Sequence, residues 1–179
     1  MKLKTIDLTL CGIFAALLAI CSWIQIPIGA IPITLQTFGV FAALGLLGGK
    51  RGTIAICVFL LLGAVGAPVF SGFQGGFGKL FGATGGYLLG FLLSGAVVWF
   101  AEARFGRSQR VFLLSAIAGL ILCYAFGTAW FTVLYTRTTG AMTLAKALGL
   151  CVLPFLPFDA VKLALAAFLR QSLLRYIPA

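Results

Sequence analysis

The sequence concentrates its chemistry in one acid–base pair near the C-terminal end. Asp159 and Lys162 are three residues apart in an apolar segment, so on a helix they share one face. Charged side chains are costly inside a membrane and usually face a cavity or each other. We therefore expect the polar end of a ligand pocket here, in which Asp159 accepts hydrogen bonds and Lys162 donates them. The alternative is a helix-capping carboxylate behind Pro157 and a lysine that extends to the membrane surface.

A glycine-rich loop, residues 66–84, provides the second group of candidates. It combines glycines with aromatic side chains and a few polar groups. Glycine permits close approach of the backbone to a ligand, and non-helical backbone at membrane depth is tolerated only inside protein or beside a water-filled cavity. An aromatic belt at the membrane surface is an equal alternative. The candidate ligand contacts in this loop and directly after it are Phe70, Ser71, Gly72, Phe73, Lys79, Gly85, Gly86 and Tyr87.

Two further patterns are weaker. Thr34 and Gln36 lie in a Pro-Ile-Thr-Leu-Gln-Thr segment and could reach the pocket. It is at least as plausible that the Pro and Thr of this segment only cap the start of a helix. In the first apolar segment, small residues recur four apart, a spacing that lets helices approach closely in lipid. Their partner could be this chain's own bundle or another subunit. These residues are Gly12, Ala15, Ala16 and Ala19.

Several kinds of site are excluded by what the sequence lacks. There is no His, and the carboxylates are Asp7, Glu102 and Asp159 alone. Proton-transfer catalysis usually needs a His or paired carboxylates, and zinc or iron sites need clusters of His, Cys or carboxylates. The five cysteines lie at least ten residues apart in apolar segments, where Cys acts as a small hydrophobic residue. We expect no enzyme, no metal and no cofactor. A phosphate-binding Gly-rich motif is also absent, so a partner must perform any ATP-driven work.

Composition places the whole chain in lipid. Of 179 residues, 62% are hydrophobic and 9% are charged, whereas an ordinary soluble domain is about 25% charged. A membrane span needs about 20 mainly apolar residues. The sequence predicts an all-α membrane protein, one domain over residues 1–179, with six transmembrane helices. The approximate spans are 6–26, 35–48, 53–65, 86–103, 111–135 and 155–174. Residues 144–153 could instead form a separate short helix at the outer surface.

The basic residues predict how the spans are oriented. Six spans put both termini on one side, and cytoplasmic loops carry most Lys and Arg. With Met1 in the cytoplasm, the cytoplasmic residues are Lys2, Lys4, Lys50, Arg51, Arg104, Arg107, Arg110, Arg170 and Arg175, and the outer ones are Lys79, Arg137 and Lys146. Basic residues at the ends of membrane spans explain the net charge of +10, so this charge does not indicate binding to nucleic acid. Since Asp159 precedes Arg175 by about 24 Å of helix, the acid–base pair is expected in the outer half of the membrane. We interpret the first segment as a retained span, not a signal peptide.

Four segments, in order along the chain, resemble the BioY family, the biotin-specific S components of energy-coupling-factor transporters. They are Pro-Ile-Thr-Leu-Gln-Thr at 32–37, Ala-Pro-Val-Phe-Ser-Gly-Phe-Gln-Gly-Gly at 67–76, Thr-Gly-Gly-Tyr-Leu-Leu-Gly-Phe at 84–91, and Pro-Phe-Leu-Pro-Phe-Asp-Ala-Val-Lys at 154–162. The sequence departs from the family at Ala83, where Pro is frequent, and at Phe158, where Gly is frequent.

The resemblance implies a function and a set of partners. It implies high-affinity capture of biotin from outside, and docking on a coupling membrane subunit with two ATPases in the inner membrane of a prokaryote. Asp159 and Lys162 would contact polar groups of biotin, and the small residues of the first span would face the coupling subunit. Lys79, Lys162 and Arg137 are candidates for its carboxylate. An S component for another water-soluble vitamin, or a structural membrane subunit without a ligand, is the alternative.

Overall fold

The computed structural model describes residues 4–27, 32–138 and 143–174. Within them, helices dominate and a short antiparallel ladder pairs β1 (Gln25–Ile26) with β2 (Ile33–Thr34). The helices are α1 (Thr5–Trp23), α2 (Gln36–Leu47), α3 (Gly49–Ala64), α4 (Phe77–Leu80), α5 (Gly85–Phe105), α6 (Gln109–Thr138), α7 (Leu144–Cys151) and α8 (Leu156–Leu173).

The predicted spans overlap six of these helices: α1, α2, α3, α5, α6 and α8. By length and composition, α1, α5 and residues 109–136 of α6 can cross a membrane, and the bent pair α7–α8 makes a fourth if it is counted as one span. A count of six crossings, and the location of both termini, stay predictions. The segment 144–153 does form a separate helix, α7, which meets α8 at an angle of 49°. Prolines at 154 and 157 account for this break, because Pro cannot continue a helix but fits its first turn.

The boundary between α2 and α3 falls earlier than the sequence predicts. A break was expected at Lys50 and Arg51, yet both residues lie inside α3. The chain turns at Gly48, whose φ of +85° is a conformation that residues with a Cβ rarely adopt. Lys and Arg are compatible with the first turn of a membrane helix because their long side chains carry the charge to its end.

Helix α2 forms the centre of the bundle. Eleven of its twelve residues are buried, and α1, α3 and α8 pack around it. A helix that is apolar on every face has no side suited to water and is therefore enclosed by others. Helices α5 and α6 form the largest helix–helix contact beside this group. The core includes the fully buried side chains of Phe41, Phe59, Phe70 and Phe112.

One end of the bundle, which we call the basic end, is held by ion pairs and backbone contacts. Asp7 lies 3.0 Å from Arg51, and the carboxylate of Glu102 accepts a hydrogen bond from the backbone of Gly49 at 2.6 Å. Arg107 donates to the carbonyl of Leu46 at the last turn of α2. These contacts satisfy groups at helix ends that no helical bond can reach. They also join α1, α2, α3 and α5 at the end where the basic residues collect.

Candidate ligand-binding pocket

A partly enclosed cavity of about 120 Å³, which we call the pocket, lies at the opposite end of the bundle from the basic end. The start of α2, the glycine-rich loop, α5, α6 and the α7–α8 junction line it. Its polar and aromatic hydroxyl side chains are Thr34, Gln36, Thr37, Ser71, Lys79, Thr84, Tyr87, Tyr124, Asp159 and Lys162. The remaining wall is Pro32, Phe70, Leu88, Phe91, Leu120, Cys123, Cys151 and Phe155. Apolar walls with a few polar groups are typical of small-molecule sites.

The acid–base pair is the buried charged part of this lining. Lys162 donates to Oδ1 of Asp159 at 2.7 Å, and Tyr124 of α6 donates to Oδ2 at 2.5 Å. Asp159 is 4% exposed and Lys162 is 8% exposed. Asp159 lies in the first turn of α8, where the positive end of the helix dipole favours a carboxylate. The lysine therefore does not extend to the surface; the two charges neutralise each other inside the pocket.

The start of α2 adds a hydroxyl and an amide. Thr34 accepts a hydrogen bond from the backbone nitrogen of Gln36 at 3.3 Å, so this threonine both supports the start of the helix and lines the pocket. Gln36 is 6% exposed, and its amide nitrogen has no hydrogen-bond partner within the described part of the chain. Both interpretations of this segment, the helix start and the pocket wall, thus apply to Thr34.

The glycine-rich loop is tied to the end of α1 and to β1. The ring of Phe70 packs edge-on against Phe59, with centroids 5.4 Å apart, in a space that exists because residue 63 has no Cβ. Ser71 donates to the side chain of Gln25 at 2.5 Å. The indole of Trp23 donates to the carbonyl of Pro68 at 2.9 Å. These contacts position Phe70 and Ser71 as the part of the pocket wall that comes from the loop.

Comparison with known proteins identifies the family. The BioY family model matches residues 1–179. The chain belongs to the BioY family. It is 42% identical over 162 residues to the biotin transporter BioY of Thermotoga maritima, covering 90% of this chain and 92% of that protein. It is 36% identical over 171 residues to the probable biotin transporter BioY of Pyrococcus horikoshii, covering 96% and 98%.

A solved structure matches the fold of this BioY-family chain. It is the S-component for biotin from an ECF-type ABC transporter, with a TM-score of 0.81, 28% identity, and coverage of 96% of this chain and 94% of that one. Family and fold together confirm three sequence predictions: the BioY resemblance, a helical multi-pass membrane protein, and a transport protein instead of an enzyme.

The structure brings eight of the twelve predicted ligand contacts into the pocket lining. They are Asp159, Lys162, Lys79, Thr34, Gln36, Phe70, Ser71 and Tyr87. The other four, Gly72, Phe73, Gly85 and Gly86, lie outside it. Phe73 is 65% exposed and stacks on Trp23 with centroids 4.9 Å apart. Gly86 instead allows α5 to pack closely against the ring of Trp130 on α6. The Arg137 side chain lies outside the described part of the structure.

Sequence reasoning missed Tyr124, the second donor to Asp159. It lies 35 residues before Asp159, on a different helix, so no local spacing could relate the two. Cys123 and Cys151 also line the pocket. Both are buried, free thiols, and their expected behaviour as small apolar residues agrees with a place in an apolar wall.

The four small residues predicted to face a partner are divided between two faces of α1. Ala15 and Ala19 are buried in this chain's own core, whereas Gly12 and Ala16 are exposed. The four-residue spacing therefore serves internal packing at Ala15 and Ala19. Gly12 and Ala16 are the two that another subunit could reach.

Proposed function

We propose that this BioY-family protein captures biotin in the pocket and delivers it across the membrane. One observation carries the proposal: a buried carboxylate, lysine and tyrosine hydroxyl, held within hydrogen-bond distance of one another, border an apolar-walled cavity. Buried ionisable groups within a membrane domain are costly and usually serve a function. The names of the related proteins and of the matching structure supply the ligand, biotin.

The chemistry of biotin fits the pocket wall. Biotin has an apolar bicyclic body and chain, a ureido group and a carboxylate. Phe70, Phe91 and Phe155 offer apolar surface to the body, while Asp159 and Lys162 together offer an acceptor and a donor. Lys79, on α4, borders the pocket without an ion-pair partner among the described residues. It is our candidate for the cation that receives the carboxylate.

We further propose that the pocket opens to the outside and that the basic end faces the cytoplasm of a prokaryotic cell. Lys4, Lys50, Arg51, Arg104 and Arg107 follow the distribution expected of cytoplasmic residues. A cytoplasm-dependent reporter, such as green fluorescent protein, fused to the C-terminus should fluoresce, and a periplasm-dependent phosphatase fusion should not be active. The opposite pattern contradicts this orientation.

The energy for delivery must come from partners, since the sequence has no phosphate-binding motif of its own. We propose a coupling membrane subunit with two ATPases. The exposed small residues of α1, Gly12 and Ala16, are our candidates for the contact with the coupling subunit, because small side chains permit close helix approach in lipid.

Calorimetry on the purified protein in detergent tests the proposed ligand. Biotin should give saturable heat, and Lys162→Ala should weaken binding about tenfold or more, since a hydrogen bond to a charged group contributes about 1.5–3 kcal/mol. Lys146→Ala is a matched control because Lys146 is exposed on α7, outside the pocket lining. A thermal-shift panel of water-soluble vitamins separates the alternatives. Stabilisation by a different vitamin supports an S component for that vitamin, and no stabilisation by any supports a structural subunit.

A further inference from the structure

Gln36 lines the pocket, and its buried amide nitrogen has no hydrogen-bond partner among the described residues. Among the described residues, three buried side-chain polar atoms have no hydrogen-bond partner: Nε2 of Gln36, Oε1 of Glu102 and Nε of Arg170. Only the first belongs to a residue that lines the pocket. A buried amide without a partner loses its hydrogen bonds to water and gains none in return, so it destabilises the folded protein. A ligand that supplies an acceptor would remove this cost.

The packing of α2 against α8 places Gln36 at the depth of the acid–base pair. The two helices are neighbours, and both begin at the pocket end. Near the basic end, Gly45 of α2 lies beside Arg170 of α8, because a Cβ on Gly45 would approach Cδ of Arg170 to 3.3 Å. Nine residues earlier, about 13.5 Å along each axis, the corresponding residues are Gln36 and Val161. Gln36 therefore lies level with the turn of α8 that carries Asp159 and Lys162.

This level of the pocket combines an amide donor with a neutral ion pair. Asp159 and Lys162 carry opposite charges at 2.7 Å, so they provide no net positive charge for an anion. A ligand carboxylate would meet the negative charge of Asp159, whereas a cyclic urea has N–H groups for Asp159 and a carbonyl oxygen for an amide donor. The donor and acceptor set at this depth thus suits a neutral urea better than a carboxylate.

We propose that Gln36 is a specificity-determining residue whose amide N–H donates to the carbonyl oxygen of the ligand's cyclic urea. The proposal rests on the proposed capture of biotin and adds the group that is recognised at this position. A site built to hydrogen-bond one polar group rejects ligands that lack it, because its own buried group is then left unpaired. Gln36 thereby couples ligand recognition to the relief of an unsatisfied donor.

The variant Gln36→Met tests the proposal through two measurements, the unfolding temperature of the ligand-free protein and the affinity for biotin. Methionine has a similar shape and no hydrogen-bond donor, so the ligand-free protein should unfold at an unchanged or higher temperature. Its affinity for biotin should fall by about tenfold. Gln171→Met, an exposed position on α8, is the matched control and should alter neither quantity. A lower unfolding temperature for ligand-free Gln36→Met would contradict the proposal, since it would reveal a partner for this amide within the protein.

Biotinamide, in which an amide replaces the carboxylate, identifies the group that Gln36 contacts. Both ligands contain the urea, so Gln36→Met should weaken biotin and biotinamide by the same factor. A loss that occurs with biotin and disappears with biotinamide would assign Gln36 to the carboxylate and overturn the proposal. Wild-type affinity for biotin in Gln36→Met would overturn it as well. If the wild-type protein itself does not bind biotin, the proposed function fails first, and this result is distinct from the others.

Discussion

At the scale of single residues, all three carboxylates of the chain have a cation nearby, but only one borders the pocket. Asp7 lies 3.0 Å from Arg51 and Glu102 lies 3.9 Å from Arg107, both at the basic end. Asp159 is paired with Lys162 at the pocket wall. Taking a charge out of water is expensive unless a partner compensates it. Pairing alone is therefore a requirement of folding, and the role of Asp159 in binding must be separated from its role in stability.

A double variant separates the two roles. Asp159→Asn or Lys162→Met alone leaves one buried charge without its partner, which should destabilise the protein by about 3–5 kcal/mol and also weaken biotin binding. Asp159→Asn/Lys162→Met removes both charges, so we expect its unfolding temperature in detergent to recover toward the wild-type value. Its affinity for biotin, measured by calorimetry, should stay at least tenfold below wild type, since the charged hydrogen bonds to the ligand, about 1.5–3 kcal/mol each, are not restored.

The ion pair at the basic end provides the comparison. Asp7→Asn should lower the unfolding temperature because Arg51 loses its partner, but biotin affinity should not change. Wild-type affinity in the Asp159/Lys162 double variant would contradict a binding role for the pair. Reduced affinity in Asp7→Asn would show that loss of any ion pair disturbs the pocket.

At the scale of elements, the sequence predicts what neighbouring residues determine and misses what packing determines. The apolar segments predict α1, α5, α6 and α8 because each run is long and is bounded by charges or prolines. Asp159 and Lys162 could be paired because residues three apart lie on the same face of a helix. The hydrogen bond from Tyr124 could not be predicted, since it depends on how α6 packs beside α8. Helix α4 is only four residues long and lies within a glycine-rich stretch, where helix propensity is low.

Contacts between the glycine-rich loop and β1 should control how long a ligand stays bound. Ser71 lines the pocket and donates to Gln25, which does not line it. Gln25→Leu therefore loosens the loop without removing a group from the pocket wall. We expect biotin to dissociate several-fold faster, measured by competition with labelled biotin, because one hydrogen bond contributes about 0.5–1.5 kcal/mol.

A variant of Ser71 checks whether the hydrogen bond between Ser71 and Gln25 is the contact that restrains the loop. Adding Ser71→Ala to Gln25→Leu should cause little further change in the dissociation rate if the two side chains act through their shared hydrogen bond. A dissociation rate for Gln25→Leu equal to that of wild type would exclude the contact as a restraint on the loop.

At the scale of the whole molecule, the ligand pocket and the proposed docking face for the coupling subunit lie on different parts of the bundle. The pocket is enclosed by the start of α2, the loop and α8, whereas the basic residues and backbone contacts lie at the other end. The outward face of α1 takes part in neither region. Gly12 is exposed there, and a Cβ on it would meet no atom within 4 Å apart from the neighbouring backbone of α1 itself. The bundle itself therefore does not require a glycine at this position.

A residue that the fold does not need can be enlarged to test assembly. Gly12→Leu should leave the fold and biotin affinity of the isolated protein unchanged, because its side chain enters open space. If the coupling subunit packs closely on this face, the larger side chain should reduce copurification with the coupling subunit and ATPases by at least severalfold. Gly149→Leu is the matched control, since Gly149 on α7 also has open space around its Cβ position. Equal copurification of both variants would exclude Gly12 from the docking face. Reduced copurification confined to Gly12→Leu, with biotin binding intact, would place ligand capture and energy coupling on separate surfaces of this small bundle.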